Sequence, residues 1–352
     1  SKCPNWCKAL LLSALLSGCL ALPLSFAATI SPETGQVDKD FTALMTKGKL
    51  EADLGSYENA ANTFSSIAHD AEAPARLQWE ALVRYGLVSS AAGNSEASVE
   101  AFRMVSTRYS EEPKAVGMLI RALASGVPGK VWIDFKPEFE ELLRSAEIVS
   151  LESLGMGESQ PKVAYLKRGE VELKAIWRSQ KDENLATEVA AYELDKILGL
   201  DMVPPTVDRT VEGRTGMLQL WVHGCQTLSE VRNRFPGTRE QEQEFSRVRL
   251  FDRLIGNQDR NWGNILIDPQ GGIVLVDHSH TFSDLQDVNK LPGRFDRMLV
   301  EKLQTLSKVG MQVRLKGILG EEDISNMLQR RDRILALINH LVAKDGEAGV
   351  FF

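Results

Sequence analysis

Cysteine is scarce in this sequence of 352 residues, which contains four, and three of them lie near the start of the chain. Beyond those only Cys225 remains, so the rest of the chain cannot form an intrachain disulfide. No two cysteines have the Cys-x-x-Cys spacing of a zinc site, and no His-Glu-x-x-His segment occurs. These absences argue against a disulfide-stapled fold and against the common zinc sites.

A surplus of positive charge is also lacking. The 48 acidic residues outnumber the 41 lysines and arginines, and the formal net charge is −7. This balance argues against a nucleic-acid-binding protein whose affinity depends on a basic surface. With 43% hydrophobic and 25% charged residues, the composition is that of a globular protein, and the length allows two or three domains.

The first 27 residues have the composition of a secretory signal peptide. Lys2 and Lys8 supply positive charge, an apolar run follows over residues 9–22, and small residues precede a cleavage point after Ala27. We expect residues 1–27 to be removed and the chain to be exported, either to a periplasm or out of the cell. No later stretch has the run of about 18 apolar residues that a membrane span needs.

Two alternatives for this segment stay open. Leu16-Ser17-Gly18-Cys19 resembles a bacterial lipobox, which would make the protein a lipoprotein attached through Cys19. The longer segment Ala9–Ala27 is also near the lower length limit for an uncleaved membrane anchor.

Residues 28–127 are rich in Ala, Leu and Glu and contain an internal repeat. Segment 54–64 matches segment 92–102 at an offset of 38 residues, with glycine, glutamate and phenylalanine in register. The pattern resembles tetratricopeptide repeats, in which a glycine separates two helices and an aromatic residue follows on the second. The resemblance implies an all-α domain of two helix pairs and a further helix, Pro113–Ala124. Such a domain is either a docking surface for a protein partner or a scaffold for the rest of the chain.

The pattern changes after a predicted linker and helix over residues 128–149, in which the helix spans Glu138–Ile148. Four strand-like runs then surround one helix that Gly199 ends; the strands are 162–167, 171–178, 206–210 and 216–222, and the helix is 184–198. Glu212-Gly213 is typical of a hairpin turn. This order predicts a small lobe over residues 150–223 and a large, mostly helical lobe over residues 224–352. The expected class of the whole protein is α+β.

Segment 250–282 is the richest in chemistry-bearing residues. A predicted amphipathic helix, Phe245–Ile255, ends at Gly256 and is followed by a loop that contains Asp259 and Asn264. A hairpin follows, and its second strand runs directly into Asp277. The layout therefore brings two carboxylates and one amide to the mouth of a small sheet.

These three side chains suit phosphoryl transfer. Asn264 and Asp277 offer the oxygen ligands that Mg²⁺ prefers, and Asp259 could accept a proton from an attacking hydroxyl. Phosphoryl transfer depends mostly on positioning and charge neutralisation, which such a site supplies. The simplest alternative for Asp259 is an internal ion pair with its neighbour Arg260.

The sequence from Gly256 to Asn264, GNQDRNWGN, together with Asp277, resembles the catalytic signature of atypical kinases. That superfamily includes HipA-type kinases, secretory-pathway kinases and, more distantly, phosphoinositide kinases. Residues 188–200, followed by Val203-Pro204-Pro205, are similar to a helix and Val-Pro-Pro passage of the secretory kinases. The resemblance covers residues 150–345. It implies a bilobal, protein-kinase-like domain that binds ATP with Mg²⁺ or Mn²⁺ between its lobes.

The resemblance also implies roles for individual residues. Asp259 is the candidate base, and Asn264 and Asp277 are candidate metal ligands. Glu188 would pair with a basic residue on strand 171–178. The segment that borders adenine would be 219–222, which includes Gln219 and Trp221.

Two features depart from the family pattern. Arg178 stands where the secretory kinases have a phosphate-binding lysine, and Lys174 lies four residues earlier on the same strand face, so either could contact phosphate. The phosphate-covering loop is represented by Gly155 and Gly157, while Gln160 occupies the position of a third glycine.

The expected function is that of an exported atypical kinase that transfers the γ-phosphate of ATP to a hydroxyl of a protein, peptide, sugar or small molecule. The alternatives are a pseudokinase or repeat-type binding scaffold, and a different nucleotide-dependent transferase. No nucleic-acid partner is expected.

Overall fold

The computed structural model describes residues 39–155, 161–179, 185–234, 237–282, 288 and 291–352. The predicted signal peptide, Cys19 and Gly157 lie outside these residues. The chain divides into two compact units, one ending at Val127 and the other beginning at Pro128. Within the described part, no helix is both long enough and apolar enough to cross a membrane. The protein is α+β, as the sequence predicts.

The described part of the first unit is helical. Its five helices are α1 (Phe41–Asp53), α2 (Tyr57–Ala68), α3 (Ala75–Ala91), α4 (Ser95–Arg108) and α5 (Pro113–Ala124). Gly55 and Gly93, 38 residues apart, both have positive φ, at 75° and 86°, and each ends the first helix of a pair. Glycine adopts this conformation without the strain that a side chain would add.

A second contact recurs at the same offset. A Cβ atom at Gly48 would lie 2.7 Å from the ring of Phe64, and one at Gly86 would lie 2.5 Å from the ring of Phe102. Each glycine therefore gives room for a buried phenylalanine on the second helix of its pair. The repeated sequence thus corresponds to a repeated packing contact.

The second unit begins with helix α6 (Lys136–Ser145) and a five-stranded antiparallel sheet. The strands are β1 (Glu147–Ser153), β2 (Lys162–Arg168), β3 (Val171–Ser179), β4 (Thr206–Val211) and β5 (Arg214–Leu220), in the order β1-β2-β3-β5-β4. The predicted helix Glu138–Ile148 is too long at its C-terminal end. Ala146 turns to an extended conformation with ψ of 143°, and β1 then pairs with β2. The predicted turn at Glu212-Gly213 joins β4 to β5.

Helix α7 (Ala186–Leu198) connects β3 to β4 and ends at Gly199, as predicted. A second sheet of three short antiparallel strands follows: β6 (Gln226–Thr227), β7 (Ile265–Ile267) and β8 (Ile273–Leu275). The remaining helices are α8 (Leu228–Val231), α9 (Arg239–Ile255), α10 (Arg297–Thr305), α11 (Lys308–Arg314), α12 (Glu321–Asp345) and α13 (Glu347–Val350).

Helix α9 is longer than the predicted Phe245–Ile255. It begins at Arg239 because the Thr238 side chain accepts from the amide of Gln241, whose side chain bonds back to Thr238. It ends at Gly256, which has φ of 67° and lies over the buried guanidinium of Arg330. Its buried side chains share one core cluster with Tyr192 and Leu194 of α7. This core joins α7 to α9, and the loop of the candidate site follows α9 directly.

Candidate functional site

A buried ion pair links the large sheet to helix α7. Arg178, near the end of β3, donates from Nη2 to Oε1 of Glu188 at 2.7 Å, and the Glu188 side chain is completely buried. This is the pairing that the resemblance implies for Glu188, with Arg178 as the basic partner. The contact of Arg178 with phosphate stays a prediction.

His278 is a second buried partner of Glu188. Its Nδ1 donates to Oε2 of Glu188 at 3.2 Å, and its ring packs edge-on against Phe251. Burial alone would raise the pKa of Glu188, but the hydrogen bond from His278 and the charge of Arg178 outweigh it and lower that pKa. Glu188 is therefore a carboxylate near neutral pH.

Asp277 follows β8 and lies beside this pair. Both terminal nitrogens of Arg178 donate to Oδ1 of Asp277, at 3.1 and 3.2 Å, and Ser279 Oγ donates to the same oxygen at 3.0 Å. Asp277 has a φ of 62°, a backbone conformation that few residues other than glycine adopt. The side chain remains 37% exposed, so one carboxylate oxygen is engaged while the group stays accessible.

The loop after α9 is held by a second ion pair. Arg260 donates to both carboxylate oxygens of Asp252, at 3.0 to 3.2 Å, and both side chains are about nine-tenths buried. Asn257 also donates to Asp252, at 3.0 Å, and accepts from the amide of Asp259. The alternative expectation of an Asp259–Arg260 ion pair is wrong, because Arg260 turns back to helix α9.

Asp259 itself is exposed, and no described residue is hydrogen-bonded to its carboxylate. Asn264 donates from Nδ2 to the backbone carbonyl of Asp259 at 3.2 Å. The backbone carbonyl of Asn264 accepts from the amide of Val276 at 3.2 Å, which places Asn264 beside the residue that precedes Asp277. The structure therefore brings Asp259, Asn264 and Asp277 to one edge of the small sheet, the edge at which β7 begins and β8 ends.

The remaining predicted site residues have other partners in the described part of the chain. Lys174 has its Nζ 5.1 Å from the centre of the Tyr165 ring, and within the described part of the chain it forms no ion pair with Glu188 or Asp277. Gln219 is buried and donates its amide to Thr206 at 2.9 Å.

Two more predicted residues follow strands of the large sheet. The backbone amide of Trp221 donates to the carbonyl of Lys174 at 3.0 Å, which ties the segment after β5 to strand β3. Gly155, after β1, has φ of 69° and donates its amide to Ser153 Oγ.

The side chains of Asn264 and Asp277 offer oxygen atoms of the type that a hard divalent cation takes as ligands. Among the described residues, no donor is bonded to Oδ2 of Asp277 or to Oδ1 of Asn264, whose amide nitrogen is the bonded atom. Carboxylate and amide oxygens are the ligands that Mg²⁺ takes. Among the described residues, no group of three or more His, Cys, Asp or Glu side chains could hold a metal ion.

Sequence reasoning missed three features of the site. It did not find the Asp252–Arg260 pair or the His278–Glu188 bond. It also missed the position of Trp262, whose side chain is half exposed. The guanidinium carbon of Arg232 lies 4.6 Å from the centre of the Trp262 ring. The spacing of Asp252 and Arg260 around a helix-ending glycine was the one available signal, because such a glycine turns the chain back on the helix.

No protein family matches this chain, and no curated protein matches it. Among solved structures, the chain is similar to the crystal structure of the proinflammatory kinase CtkA of Helicobacter pylori. The similarity has 12% sequence identity and a TM-score of 0.39, and it covers 54% of this chain and 92% of the other. A TM-score this low does not establish a common fold. A functional assignment therefore depends on the residues of this chain.

Proposed function

We propose that this protein is a metal-dependent phosphotransferase that moves the γ-phosphate of ATP to a hydroxyl acceptor. The main support is the position of Arg178, which contacts both Glu188 and Asp277. One cation thus joins the sheet, helix α7 and the strand end that carries a candidate metal ligand. Asp259 and Asn264 lie on the adjoining loop.

Asp259 is the proposed base. Its exposed carboxylate would take the proton of the acceptor hydroxyl while that oxygen bonds to the γ-phosphorus. The bond from the γ-phosphorus to the β,γ-bridging oxygen breaks, and ADP leaves with that electron pair. The carboxylate is free for this step because no described side chain is bonded to it.

The charge of the nucleotide would be met by residues around this edge. Asn264 and Asp277 would hold Mg²⁺ or Mn²⁺, which when bound neutralises phosphate charge. Arg178 is the nearest cation to Asp277, and Lys174 and Gly155 are further candidates for phosphate contacts. Gln219–Leu220 and Trp221 would border the adenine ring of ATP. Because the Gln219 side-chain amide already donates to Thr206, Trp221 is the better candidate for contact with adenine.

A second candidate function is nucleotide binding without transfer. One observation favours it: Arg178 donates two hydrogen bonds to Oδ1 of Asp277. A permanent cation at this position competes with a metal ion for the carboxylate. In that case the helical first unit would be the main functional surface, as a docking platform for a protein partner. Export by a signal peptide remains part of the proposal for either function.

The two candidates are separated by measuring label transfer from γ-labelled ATP with Mg²⁺ or Mn²⁺. The variants are Asp259→Asn and Asp277→Asn, and Asp208→Asn is the matched control because it changes an exposed carboxylate of β4. Thermal unfolding with and without ATP is recorded for all four proteins, since a bound nucleotide raises the melting temperature.

Transfer by the wild type and Asp208→Asn, with loss in both site variants, is the expected result. No transfer by the wild type, together with a melting temperature that ATP still raises, would support the second candidate. Absence of both transfer and stabilisation would refute the nucleotide assignment.

A further inference from the structure

Arg260 makes contacts that the proposed chemistry does not itself require. Its Nη1 donates to the backbone carbonyl of Asn264 at 2.9 Å and to the backbone carbonyl of Val276 at 2.8 Å. These carbonyls belong to one candidate metal ligand and to the residue directly before the other, Asp277. A single nitrogen atom therefore ties together the two chain segments that carry the ligands.

The other side of the same guanidinium is fixed to helix α9. Its Nε and Nη2 donate to the Asp252 carboxylate at 3.0 to 3.2 Å. Asp252 is held in turn by Asn257, which also orders the amide of Asp259. The orientation of the planar guanidinium is fixed from both sides, because one edge donates to a carboxylate and the opposite edge donates to two backbone carbonyls.

Burial makes these contacts strong. The side chain of Arg260 is 9% exposed and that of Asp252 is 10% exposed, so few water molecules can replace either partner. Hydrogen bonds from a cation are stronger than neutral ones, and losing the donor would leave two inward carbonyls without it. The two segments would then keep the β7–β8 pairing and the bond from the Val276 amide to the Asn264 carbonyl, but they would lose the side chain that ties both of them to helix α9.

We propose that Arg260 is a positioning residue that sets the separation between Asn264 and Asp277 and so determines the affinity of this edge for a divalent metal ion. The inference rests on the proposed function, because it takes these two side chains as the ligands. Residues that orient metal ligands from behind typically change metal affinity by about 10- to 100-fold when they are replaced.

Lysine is the informative replacement. Arg260→Lys keeps the positive charge beside Asp252 but removes the flat fork, and one ammonium group cannot reproduce the two-edged geometry. The matched control is Arg247→Lys on the same helix as Asp252. Arg247 pairs with Asp296 at 2.8 and 2.9 Å, and among the described residues it forms no hydrogen bond with the loop or with β8.

The experiment measures the dissociation constant of Mn²⁺ by the electron paramagnetic resonance signal of the free ion, in the presence of ADP. The full chain is compared with Asp277→Asn, Arg260→Lys and Arg247→Lys, and unfolding is recorded for each protein. Asp252→Glu is the second variant. It keeps both charges while it displaces the guanidinium, so the inference stays testable if Arg260→Lys does not fold.

We expect Arg260→Lys to raise the dissociation constant about tenfold, in the range of such orienting residues, with Arg247→Lys unchanged. Asp252→Glu should change it in the same direction. Equal affinities in the wild type, Arg260→Lys and Asp252→Glu, with weakening in Asp277→Asn, would overturn the inference and leave the metal site standing. Equal affinities in the wild type and Asp277→Asn would overturn both.

Discussion

Helix α7 contains two acidic residues that are equally buried but have different hydrogen-bond partners. Glu188 and Asp195 are both fully buried, and they lie seven residues apart, about two helical turns. Glu188 faces Arg178 and His278. Asp195 accepts hydrogen bonds only from the backbone amides of Met202 and Val203, at 3.0 and 3.2 Å, among the described residues.

The pKa values of the two groups move in opposite directions. Burial raises the pKa of Asp195 to about 7, because its two backbone bonds do not make up for lost water. Two cationic or donor side chains lower the pKa of Glu188 in spite of its burial. Within the described residues, Oδ2 of Asp195 has no hydrogen-bond partner, so no donor stabilises a negative charge on that oxygen.

The difference in partners indicates that Glu188 belongs to the candidate site and that Asp195 stabilises the fold. Glu188 holds a charged network that reaches Asp277. Asp195 holds the turn before β4, whose Met202 carbonyl accepts from Leu275 of β8 at 2.8 Å. Burial of an acidic residue is therefore not enough to assign it to a catalytic centre, and its partners decide.

The largest expected effect comes from Glu188→Gln. It removes the fully buried carboxylate that pairs with Arg178, while the partly exposed Asp277 pair is kept, and breaking a buried pair costs about 3–5 kcal/mol. The free energy of unfolding in urea measures it. The control is Glu193→Gln, which removes a partly exposed pair with Lys196 on the same helix and should cost below about 1 kcal/mol. Equal losses in the two variants would remove the distinction drawn for Glu188.

Asp195→Asn should have an effect that depends on pH. Because the folded-state pKa of Asp195 is raised from 3.8 to about 7, the wild type has this group's stabilisation below pH 3.8 and loses it as the pH rises to about 7. Asparagine does not titrate, so the variant has no such loss. Its free energy of unfolding relative to the wild type should therefore rise with pH across this window, by at most about 1.4 kcal/mol per pH unit. Urea unfolding at several pH values tests this, and a constant difference would contradict it.

His223→Gln should show the opposite slope. Burial, and then the charge of Lys174, lower the pKa of His223 from 6.5 to about 4. The wild type has this stabilisation above pH 6.5 and loses it as the pH falls towards 4, so the variant should gain relative stability as the pH falls. The same unfolding series measures it. A relative gain towards high pH would show that His223 is charged in the folded protein.

Tyr192→Phe should have the smallest effect. Tyr192 lies between the two acids on α7, and its hydroxyl donates to Glu140 at 2.9 Å. Removing that hydroxyl should cost about 1 kcal/mol, because phenylalanine fills the same buried space. Tyr165→Phe, which removes an exposed bond to Glu152, is the control and should leave the unfolding free energy nearly unchanged.

Local sequence patterns predicted most elements but not every boundary. Helix Pro113–Ala124 has the predicted bounds, and the hairpin before Asp277 is present. The end of α6 was misplaced because apolar residues continue at helical spacing through Ile148. That residue instead pairs with Leu166 of β2, a partner that a local pattern does not contain.

The site shows the same limit more clearly. The residue types of Asp259, Asn264 and Asp277 could be selected from their spacing, and the structure places them at one edge. The contact of Arg178 with Asp277 joins positions 99 residues apart, so only the folded chain reveals it. Arg260 has an acidic neighbour in sequence, yet its partner is Asp252, because the glycine that ends α9 turns the chain back along the helix.

The glycine–phenylalanine contact of the first unit has a consequence for how this unit can change in length. Gly48 contacts Phe64 and Gly86 contacts Phe102, both at the same offset, so residues 49–86 form one interchangeable length of chain. Copying this segment in tandem would create a third glycine–phenylalanine pair across the new junction. Deleting it would bring Gly48 against Phe102. An insertion or deletion of these 38 residues therefore leaves every such glycine with a phenylalanine at the same spacing along the chain.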